Sequence, residues 1–282
     1  MFHPALKPGS VAVITGGAAG IGLAAAKRFA SIGMRVCIAD LGAQKLAAAA
    51  DEIVQHASAG AEDVLALEAD ISRDADLATL RNTVLGRFGA VDVLMSNAGI
   101  QPATKVLDSV NWQQVIEVNL WGVIRSTQAF VPGMIEQGQP GLVIITGSKQ
   151  GITTPPGNPA YNVSKAGVKV FSELLQHQLR NTPDCAISAH LLIPGFVFTE
   201  LAVQDRKDKP AAAWTSEQTI DFMLSRIEAG DFYILCPDND VPRALDERRI
   251  LWAAGDIVEN RPPLSRWHAD YSGAFEAFVR GK

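Results

Sequence analysis

A tyrosine and a lysine four residues apart, Tyr161 and Lys165, are the side chains in this sequence best suited to moving a proton. On a helix this spacing places the phenol and the ammonium on one face. A tyrosine hydroxyl ordinarily titrates near pH 10, so acting near neutrality requires stabilising its anion by about three pH units, or roughly 4 kcal/mol. The Lys165 ammonium favours that anion. Ser148, at the end of a predicted strand, can donate a hydrogen bond to a reacting oxygen that gains negative charge.

A glycine-rich segment, TGGAAGIG over residues 15–22, follows the first predicted strand and leads into a helix. Gly16, Gly20 and Gly22 permit a tight turn and remove side chains where a pyrophosphate would approach main-chain N–H groups. The helix N-terminus adds partial positive charge. A glycine cluster alone is weak evidence because loops use glycine freely. Its place between the first strand and the first helix points to a dinucleotide.

Acidic residues end the second and third predicted strands. Asp40 lies eighteen residues beyond Gly22, where a carboxylate can accept both hydroxyls of a ribose and repel an additional 2′-phosphate. NAD is therefore favoured over NADP, although Asp40 could instead cap the next helix. Asp70 and Ile71 are predicted to hold the adenine by a hydrogen bond and an apolar contact. The alternative is that Asp70 caps the following helix through Ser72.

These residues need a scaffold in which strand ends meet. Short apolar segments at 11–15, 35–40, 63–70, 91–97, 141–147, 186–194 and 232–237 predict seven strands. Helical spacing predicts helices at 20–32, 42–57, 72–88, 109–135, 160–180 and 216–228. This alternation predicts an α/β fold with an open, doubly wound parallel sheet and helices on both faces, which binds ligands beyond the carboxyl ends of its strands. We expect one domain over 1–282, with a substrate lid at about 196–220 and a C-terminal extension at about 238–282.

Composition limits the possible partners. A formal charge of −5 gives no electrostatic reason to expect binding to nucleic acid or to an anionic membrane. No apolar run approaches the roughly 18 residues of a membrane span, and the N-terminal residues lack a secretory signal, so a cytoplasmic protein is expected. Cys37, Cys185 and Cys236 are predicted to be buried, reduced thiols. The five histidines form no set with ligand spacing, so no metal is expected.

The order of the motifs resembles that of the short-chain dehydrogenase/reductase family. TGGAAGIG, SNAG at 96–99, VNLWG with Asn119, Ser148, the YxxxK pair and PGFVFT from Pro194 follow one another over residues 10–200. The resemblance implies a single Rossmann domain, a nicotinamide cofactor and the catalytic set Asn119, Ser148, Tyr161 and Lys165, with Lys165 also on the nicotinamide ribose and Asn119 in a water-mediated proton relay. The implied cofactor-binding residues are Thr15, Gly16, Gly20, Ile21, Gly22, Asp40, Asp70, Ile71, Asn97, Ala98, Gly99, Tyr161, Lys165, Pro194, Gly195, Val197 and Thr199.

Two segments depart from the family pattern. SNAG stands where the family often has NNAG, which leaves Asn97, Ala98 and Gly99 intact. The C-terminal part lacks the glycine-rich ending of many tetrameric members, which puts their end-to-end contact in doubt. Helices at 109–135 and 160–180 form the other common interface, so we expect a homodimer, with a tetramer as the alternative.

The substrate is expected to be an apolar or aromatic secondary alcohol or its ketone. The candidate pocket residues flank the catalytic strand end or the lid and are Gln150, Ile152, Phe196, Phe198, Trp214 and Met223. Two other functions stay open: a noncatalytic NAD(H)-binding sensor or scaffold, and an NADP-dependent carbonyl reductase. Epimerisation or dehydration fits less well because those relatives usually carry a GxxGxxG loop and a larger C-terminal substrate region.

Overall fold

Seven parallel strands form one sheet with the order β3-β2-β1-β4-β5-β6-β7. The structure is a computed structural model that describes residues 3–203 and 208–281. The strands are β1 (Val11–Thr15), β2 (Arg35–Asp40), β3 (Val64–Glu68), β4 (Val93–Ser96), β5 (Gly141–Thr146), β6 (Ile187–Ile193) and β7 (Tyr233–Leu235). The predicted doubly wound parallel sheet is confirmed.

Helices cover both faces of the sheet. They are α1 (Gly20–Ser31), α2 (Ala43–Val54), α3 (Asp74–Phe88), α4 (Trp112–Ile116), α5 (Gly122–Glu136), α6 (Gln150–Thr153), α7 (Pro159–Asn181), α8 (Glu200–Val203), α9 (Ser216–Glu228), α10 (Arg243–Val258) and α11 (Ser272–Val279). Helices α1, α2 and α9 bury their apolar residues in one core cluster, and α3, α5 and α7 bury theirs in a second. Alternate residues of β1 enter opposite clusters, Ala12 and Ile14 the first and Val11 and Val13 the second. Burial on both faces explains why the strand segments are continuously apolar.

The helix expected at 109–135 is present from Trp112 to Glu136. Between α4 and α5 it contains a π-helical turn, Glu117–Trp121. This turn was not predicted because the apolar spacing runs through it, whereas a π turn is a local change in backbone hydrogen bonding. Such turns often occur at functional sites, and this one contains Asn119.

The C-terminal extension is ordered through its described residues and packs on the body of the protein. Trp252 of α10 is buried, and its indole nitrogen donates to Ser265 Oγ at 2.8 Å. Arg261 lies 4.0 Å from the centroid of the Trp252 ring and pairs with Asp256 at 2.9 Å. Helix α10 also packs against α6, the short helix that follows Ser148.

A chain of hydrogen bonds joins the N-terminal segment to β6. His3 Nε2 and His190 Nε2 lie 3.1 and 3.0 Å from the Ser188 hydroxyl, and His190 Nδ1 lies 2.7 Å from the Asp231 carbonyl. Burial lowers the pKa of both imidazoles. The neutral forms satisfy this chain, because the His190 ring can donate to the carbonyl and accept from the serine.

Two of the three cysteines are buried as expected, and Cys185 is half-buried. Burial raises the pKa of Cys37 and of Cys236 to about 12, so both are unreactive thiols near neutrality. Among residues 3–203 and 208–281, no helix has the length and hydropathy to cross a bilayer.

Candidate active site

A cavity of about 1370 Å³ opens at the carboxyl ends of the strands. It spans the point where the strand order reverses, between β1 and β4, which is where open α/β sheets bind their ligands. Residues that follow β1 through β6 line it. The volume exceeds the roughly 300–1,000 Å³ of a typical small-molecule site, so a dinucleotide and a second molecule fit together.

The glycine loop presents bare backbone at one end of this cavity. Gly16 has φ +64°, and a Cβ there would lie 2.6 Å from Ala98 Cα. A Cβ on Gly22 would lie 2.1 Å from the Gly16 carbonyl oxygen, so the loop and α1 can meet only without side chains. Helix α1 then begins at Gly20 with no side-chain cap and no acid in its first turn. Its N-terminus therefore suits an anion.

Thr15 and Asn97 brace the loop from beneath. The Thr15 hydroxyl accepts from the amides of Asn97 and Ala98 at 3.0 and 3.3 Å, and Asn97 Nδ2 donates to the Gly16 carbonyl at 3.1 Å. Thr15 is completely buried and does not line the cavity, whereas Asn97, Ala98 and Gly99 do. The structure thus places Thr15 and Gly22 behind the loop, where they shape it.

The two strand-end acids do not cap helices. Asp40 accepts from the Ala18 amide of the glycine loop at 3.0 Å and from the Leu41 amide at 2.8 Å. Helix α2 has Gly42 at its N-cap and no side-chain cap, so the capping alternative for Asp40 is wrong. Asp40 lines the cavity, beside the glycine loop that it braces.

At the end of β3, Asp70 closes a turn. Its Oδ1 accepts from the Ser72 amide at 2.9 Å and from the Ser72 hydroxyl at 2.6 Å. Helix α3 begins two residues later, with Arg73 at its N-cap and no side-chain cap, so Asp70 orders the turn rather than the helix end. Asp70 and Ile71 both line the cavity.

Ser148 and Tyr161 are brought together at the other end of the cavity. A hydrogen bond from Ser148 reaches Tyr161, and the Gln150 amide donates to Ser148 Oγ at 3.1 Å. Tyr161 is 7% exposed. Burial raises its pKa, and the Ser148 bond acts in the opposite direction. The pair therefore needs a further positive charge before the phenol can lose a proton near neutrality.

Lys165 lies on the same helix and brings a positive charge near Tyr161. Its Nζ lies 5.8 Å from the Tyr161 ring centroid and donates to the Thr146 carbonyl, at the end of β5, at 2.7 Å. Only 3% of the residue is exposed, and burial lowers the pKa of its ammonium to about 8. Lys165 is thus mostly charged at pH 7, and a modest rise in pH removes the charge. The predicted spacing along the helix is what brings the two groups together.

Asn119 lies in the π turn, Glu117–Trp121, that precedes α5. Its Oδ1 accepts from the Ile100 amide at 2.7 Å, while Nδ2 donates to the Ile100 carbonyl at 2.8 Å and to Ser164 Oγ at 3.3 Å. The residue is completely buried. Its side chain holds the segment after β4 against α7. Both polar atoms of the Asn119 side chain are therefore engaged by other protein groups.

The segment after β6 forms a further part of the cavity wall. Pro194, Gly195, Val197 and Thr199 line it, as do Ile21 and Gly20 of the opposite wall. Part of the expected lid, residues 204–207, lies outside the described residues. In its described part, the Phe198 amide donates to the Trp214 carbonyl at 2.9 Å.

Two of the six expected pocket residues, Gln150 and Phe196, line the cavity. Met223 is completely buried between α9 and the sheet, and Trp214 packs edge-on against Phe222 at 5.6 Å. Ile152 packs against the second core cluster instead of the cavity, and Phe198 is likewise absent from the lining. The prediction failed for Ile152, Phe198, Trp214 and Met223 because proximity in sequence does not fix the direction of a side chain.

Several cavity residues were not anticipated. Gln101 comes from the segment after β4, Gln114 from α4 and Glu117 from the π turn, and Lys149 is the residue after Ser148. Of these four residues, only Lys149 could have been identified from the sequence, because it is the neighbour of Ser148.

Comparison with known proteins agrees with this geometry. A family model described as short chain dehydrogenase matches residues 10–210. The 1-deoxy-11-beta-hydroxypentalenate dehydrogenase of Streptomyces avermitilis is 30% identical over 254 residues, which cover 88% of this chain and 91% of that protein.

Solved structures show the same fold. A short chain dehydrogenase/reductase from Burkholderia phymatum in complex with NAD aligns with a TM-score of 0.81 at 28% identity, covering 93% of this chain and 98% of the other. The alcohol dehydrogenase of Thermococcus sibiricus complexed with 5-hydroxy-NADP aligns with a TM-score of 0.69 at 27% identity, covering 78% and 90%. Structures similar to this one therefore bind NAD in one case and an NADP derivative in the other.

Proposed function

Because the chain belongs to the short chain dehydrogenase family, whose members are oxidoreductases that use nicotinamide cofactors, we propose that it transfers hydride between NAD(H) and a secondary alcohol or its ketone. The observation that carries the proposal is the meeting of Ser148, Tyr161 and Lys165 in one cavity with a bare glycine loop. The loop suits the cofactor pyrophosphate, and the three side chains suit an oxygen that exchanges a proton.

When bound, NAD supplies the hydride acceptor. The protein's own part is to manage the proton and the charge. Tyr161 removes the hydroxyl proton of the alcohol, Ser148 donates a hydrogen bond to the substrate oxygen, and the Lys165 ammonium stabilises the tyrosinate. Each pKa unit by which Lys165 offsets the effect of burial on Tyr161 corresponds to about 1.4 kcal/mol. In the reverse direction Tyr161 returns the proton to the carbonyl oxygen.

Lys165 is held for this role by Thr146. The 2.7 Å bond to a backbone carbonyl at the end of β5 fixes the ammonium below the tyrosine without neutralising it. As in the family, Lys165 would also contact the nicotinamide ribose, and the π-turn backbone at Asn119 would take part in a proton relay. The cleft beyond Thr199 and Gly195 would hold the nicotinamide.

NAD over NADP is supported by Asp40. Its carboxylate lines the cavity beside the glycine loop, where the ribose of a dinucleotide would lie, and a 2′-phosphate would meet a like charge. The nearest lysine along α2, Lys45, pairs with Glu200 at 3.1 Å. The Lys45 ammonium therefore pairs with a carboxylate other than Asp40.

The substrate is proposed to be a secondary alcohol or ketone with an apolar body. Phe196 and Leu201 line the cavity with apolar side chains, and Gln101 and Gln150 add hydrogen-bonding amides. An apolar or aromatic substrate that carries one additional polar group fits these walls best.

Assembly as a homodimer is part of the proposal, with a tetramer as the alternative. Val163, Val170 and Leu174 stand on one side of α7 and are 50%, 51% and 62% exposed. A second copy of the chain would cover this apolar stripe. Light scattering that shows a monomer at working concentration would contradict both assemblies.

Replacing Tyr161 with phenylalanine tests the chemistry. We expect loss of NADH production from a panel of secondary alcohols, with NAD(H) binding unchanged by fluorescence titration, because the hydroxyl reacts but the ring only packs. The matched control is Tyr233→Phe, which also removes one tyrosine hydroxyl. That hydroxyl bonds Glu173, and Tyr233 does not line the cavity. Full turnover in the Tyr161→Phe variant would contradict the assignment and leave a noncatalytic NAD(H)-binding protein as the better interpretation.

A further inference from the structure

Three charged side chains form a buried cluster directly behind the catalytic serine. Lys149 Nζ lies 2.5 Å from Asp246 Oδ2 and 3.4 Å from Asp238 Oδ2. The side chains of Lys149, Asp238 and Asp246 are 16%, 7% and 5% exposed. The closer contact is an ion pair. We call these three residues the ion cluster.

The ion cluster touches two of the segments that meet at the reacting centre. Lys149 follows Ser148, and its amide lies 3.4 Å from the Pro194 carbonyl. Asp238 Oδ2 accepts from the Phe196 amide at 3.3 Å. A Cβ on Gly195 would lie 2.7 Å from the same oxygen and 2.8 Å from Lys149 Nζ, so the backbone after β6 is packed onto the cluster.

The third member comes from the C-terminal extension. Asp246 lies in the first turn of α10, the helix that packs on α6, and Arg249 of the same helix lies 3.9 Å from its other carboxylate oxygen. One ammonium therefore joins the ends of β5 and β7 and the helix α10. Its carboxylate neighbour Asp238 also holds the end of β6.

A buried ion pair is a poor source of stability, because the cost of desolvating two charges offsets their attraction. The ion cluster does, however, connect segments that are far apart in the sequence. At this site the segments that it fixes carry Ser148 and the backbone from Gly195 to Phe196. A displacement of about 1 Å in such groups can cost about a hundredfold in rate.

We propose that Asp246 is a positioning residue that acts through Lys149 to hold Ser148 and the Gly195–Phe196 backbone in place for the reaction. The C-terminal extension, through Asp246 of α10, then helps to position the groups that react. This inference rests on the proposed function. Asp246 itself does not line the cavity.

The test is Asp246→Asn, which keeps the shape of the side chain and removes its charge. We expect kcat to fall about tenfold, equivalent to about 1.4 kcal/mol of barrier, while the affinity for NADH changes less than about twofold. Asp256→Asn is the matched control. Asp256 lies in the same helix, bonds Arg261 and Ser265, and makes no contact with Lys149. It should lower the melting temperature of the protein and leave kcat at 25 °C unchanged.

A double-mutant cycle decides whether Asp246 acts through Lys149. In a Lys149→Met background, Asp246→Asn should cause little further loss of kcat, because its partner is already gone. If Asp246→Asn slows the Lys149→Met enzyme by the same factor as the wild type, the proposal is overturned. Equal loss of kcat in Asp256→Asn would likewise reduce Asp246 to a structural role.

Hydrogen exchange gives a readout that does not depend on turnover. Amides of residues 147–153 and 195–198 should exchange faster in Asp246→Asn than in the wild type, and Asp256→Asn should leave them unchanged. Unchanged protection in Asp246→Asn would overturn the proposal even if the enzyme is active. Failure of the proposed function would appear instead as absent turnover in the wild type or full turnover in Tyr161→Phe.

Discussion

Replacing Gly151 with alanine is expected to disturb the proposed catalytic group, Ser148, Tyr161 and Lys165, without changing any of its side chains. Gly151 lies in α6, three residues after Ser148, and α6 packs against α7. A Cβ at this position would lie 2.4 Å from the Lys165 carbonyl carbon and 2.6 Å from its oxygen. Ordinary contacts begin at 3.4 Å, so α6 and α7 must separate by about 1 Å.

Ser148 directly precedes α6, whereas Tyr161 and Lys165 lie in α7. Separating the two helices therefore increases the distance from Ser148 to Tyr161 and Lys165. A misplacement of about 1 Å costs on the order of a hundredfold in rate, and overpacking costs roughly 1–3 kcal/mol in stability. We expect kcat of Gly151→Ala to fall between about tenfold and a hundredfold. NADH affinity should change little, because the glycine loop lies at the other end of the cavity.

Stopped-flow or steady-state kinetics with NAD and an active alcohol measures the effect, and fluorescence titration measures NADH affinity. Gly86→Ala is the control, since Gly86 lies inside α3 with a negative φ and nothing within 4 Å of an added Cβ. That variant should be slightly more stable, by about 0.5–1 kcal/mol, and fully active. If Gly151→Ala folds and keeps the wild-type kcat, the catalytic group does not depend on the close packing of α6 against α7.

Three further predictions concern charge. Asp40→Ala should raise the ratio of kcat/KM for NADP to kcat/KM for NAD by at least about tenfold, because it removes a like charge from the 2′-phosphate position; an unchanged ratio would refute the role of Asp40. Lys165→Met should abolish turnover and yet stabilise the fold at pH 7 by up to about 3 kcal/mol, because burial disfavours the ammonium. Chemical denaturation measures the free energy of unfolding of this variant. A loss of stability would show that the hydrogen bond from Lys165 to the Thr146 carbonyl outweighs the cost of desolvation. His3 and His190 have folded-state pKa values below those of the unfolded chain, so the unfolded state binds more protons as the pH falls below about 6.5, and the protein should lose stability over that range. Melting temperatures from pH 7.5 to 5 should show the loss, and His190→Gln should flatten it.

The parts of the fold that the sequence predicted are those set by local pattern. Strand β1, the glycine loop and α1 follow one another within 22 residues, and each has its own chemical signature in the chain. The four-residue spacing of Tyr161 and Lys165 is likewise local, because a helix converts it directly into a shared face. Such features need no knowledge of the rest of the molecule.

The parts that the sequence did not predict depend on direction or on distance along the chain. Met223 and Trp214 have the apolar character of pocket walls, yet the orientation of α9 turns Met223 toward the sheet. The π turn at Asn119 leaves no mark in the apolar pattern. The ion cluster pairs Lys149 with carboxylates about ninety residues away, and nothing local distinguishes Asp238 or Asp246 from surface acids.

The same long separation has a consequence for biosynthesis. A ribosome completes β5 and Ser148 well before it reaches Asp238, which lies 89 residues after Lys149. During that interval neither carboxylate partner of the Lys149 ammonium has been synthesised, so the ammonium stays exposed to water. The segment after Ser148 therefore cannot adopt its folded, buried position. The earlier strands and the glycine loop can form as the chain emerges, so a nascent chain could acquire its nucleotide cleft before its proton-transfer geometry. Final assembly of the reacting centre would then coincide with the arrival of α10, and an unfinished polypeptide would hold its dinucleotide without being able to turn it over.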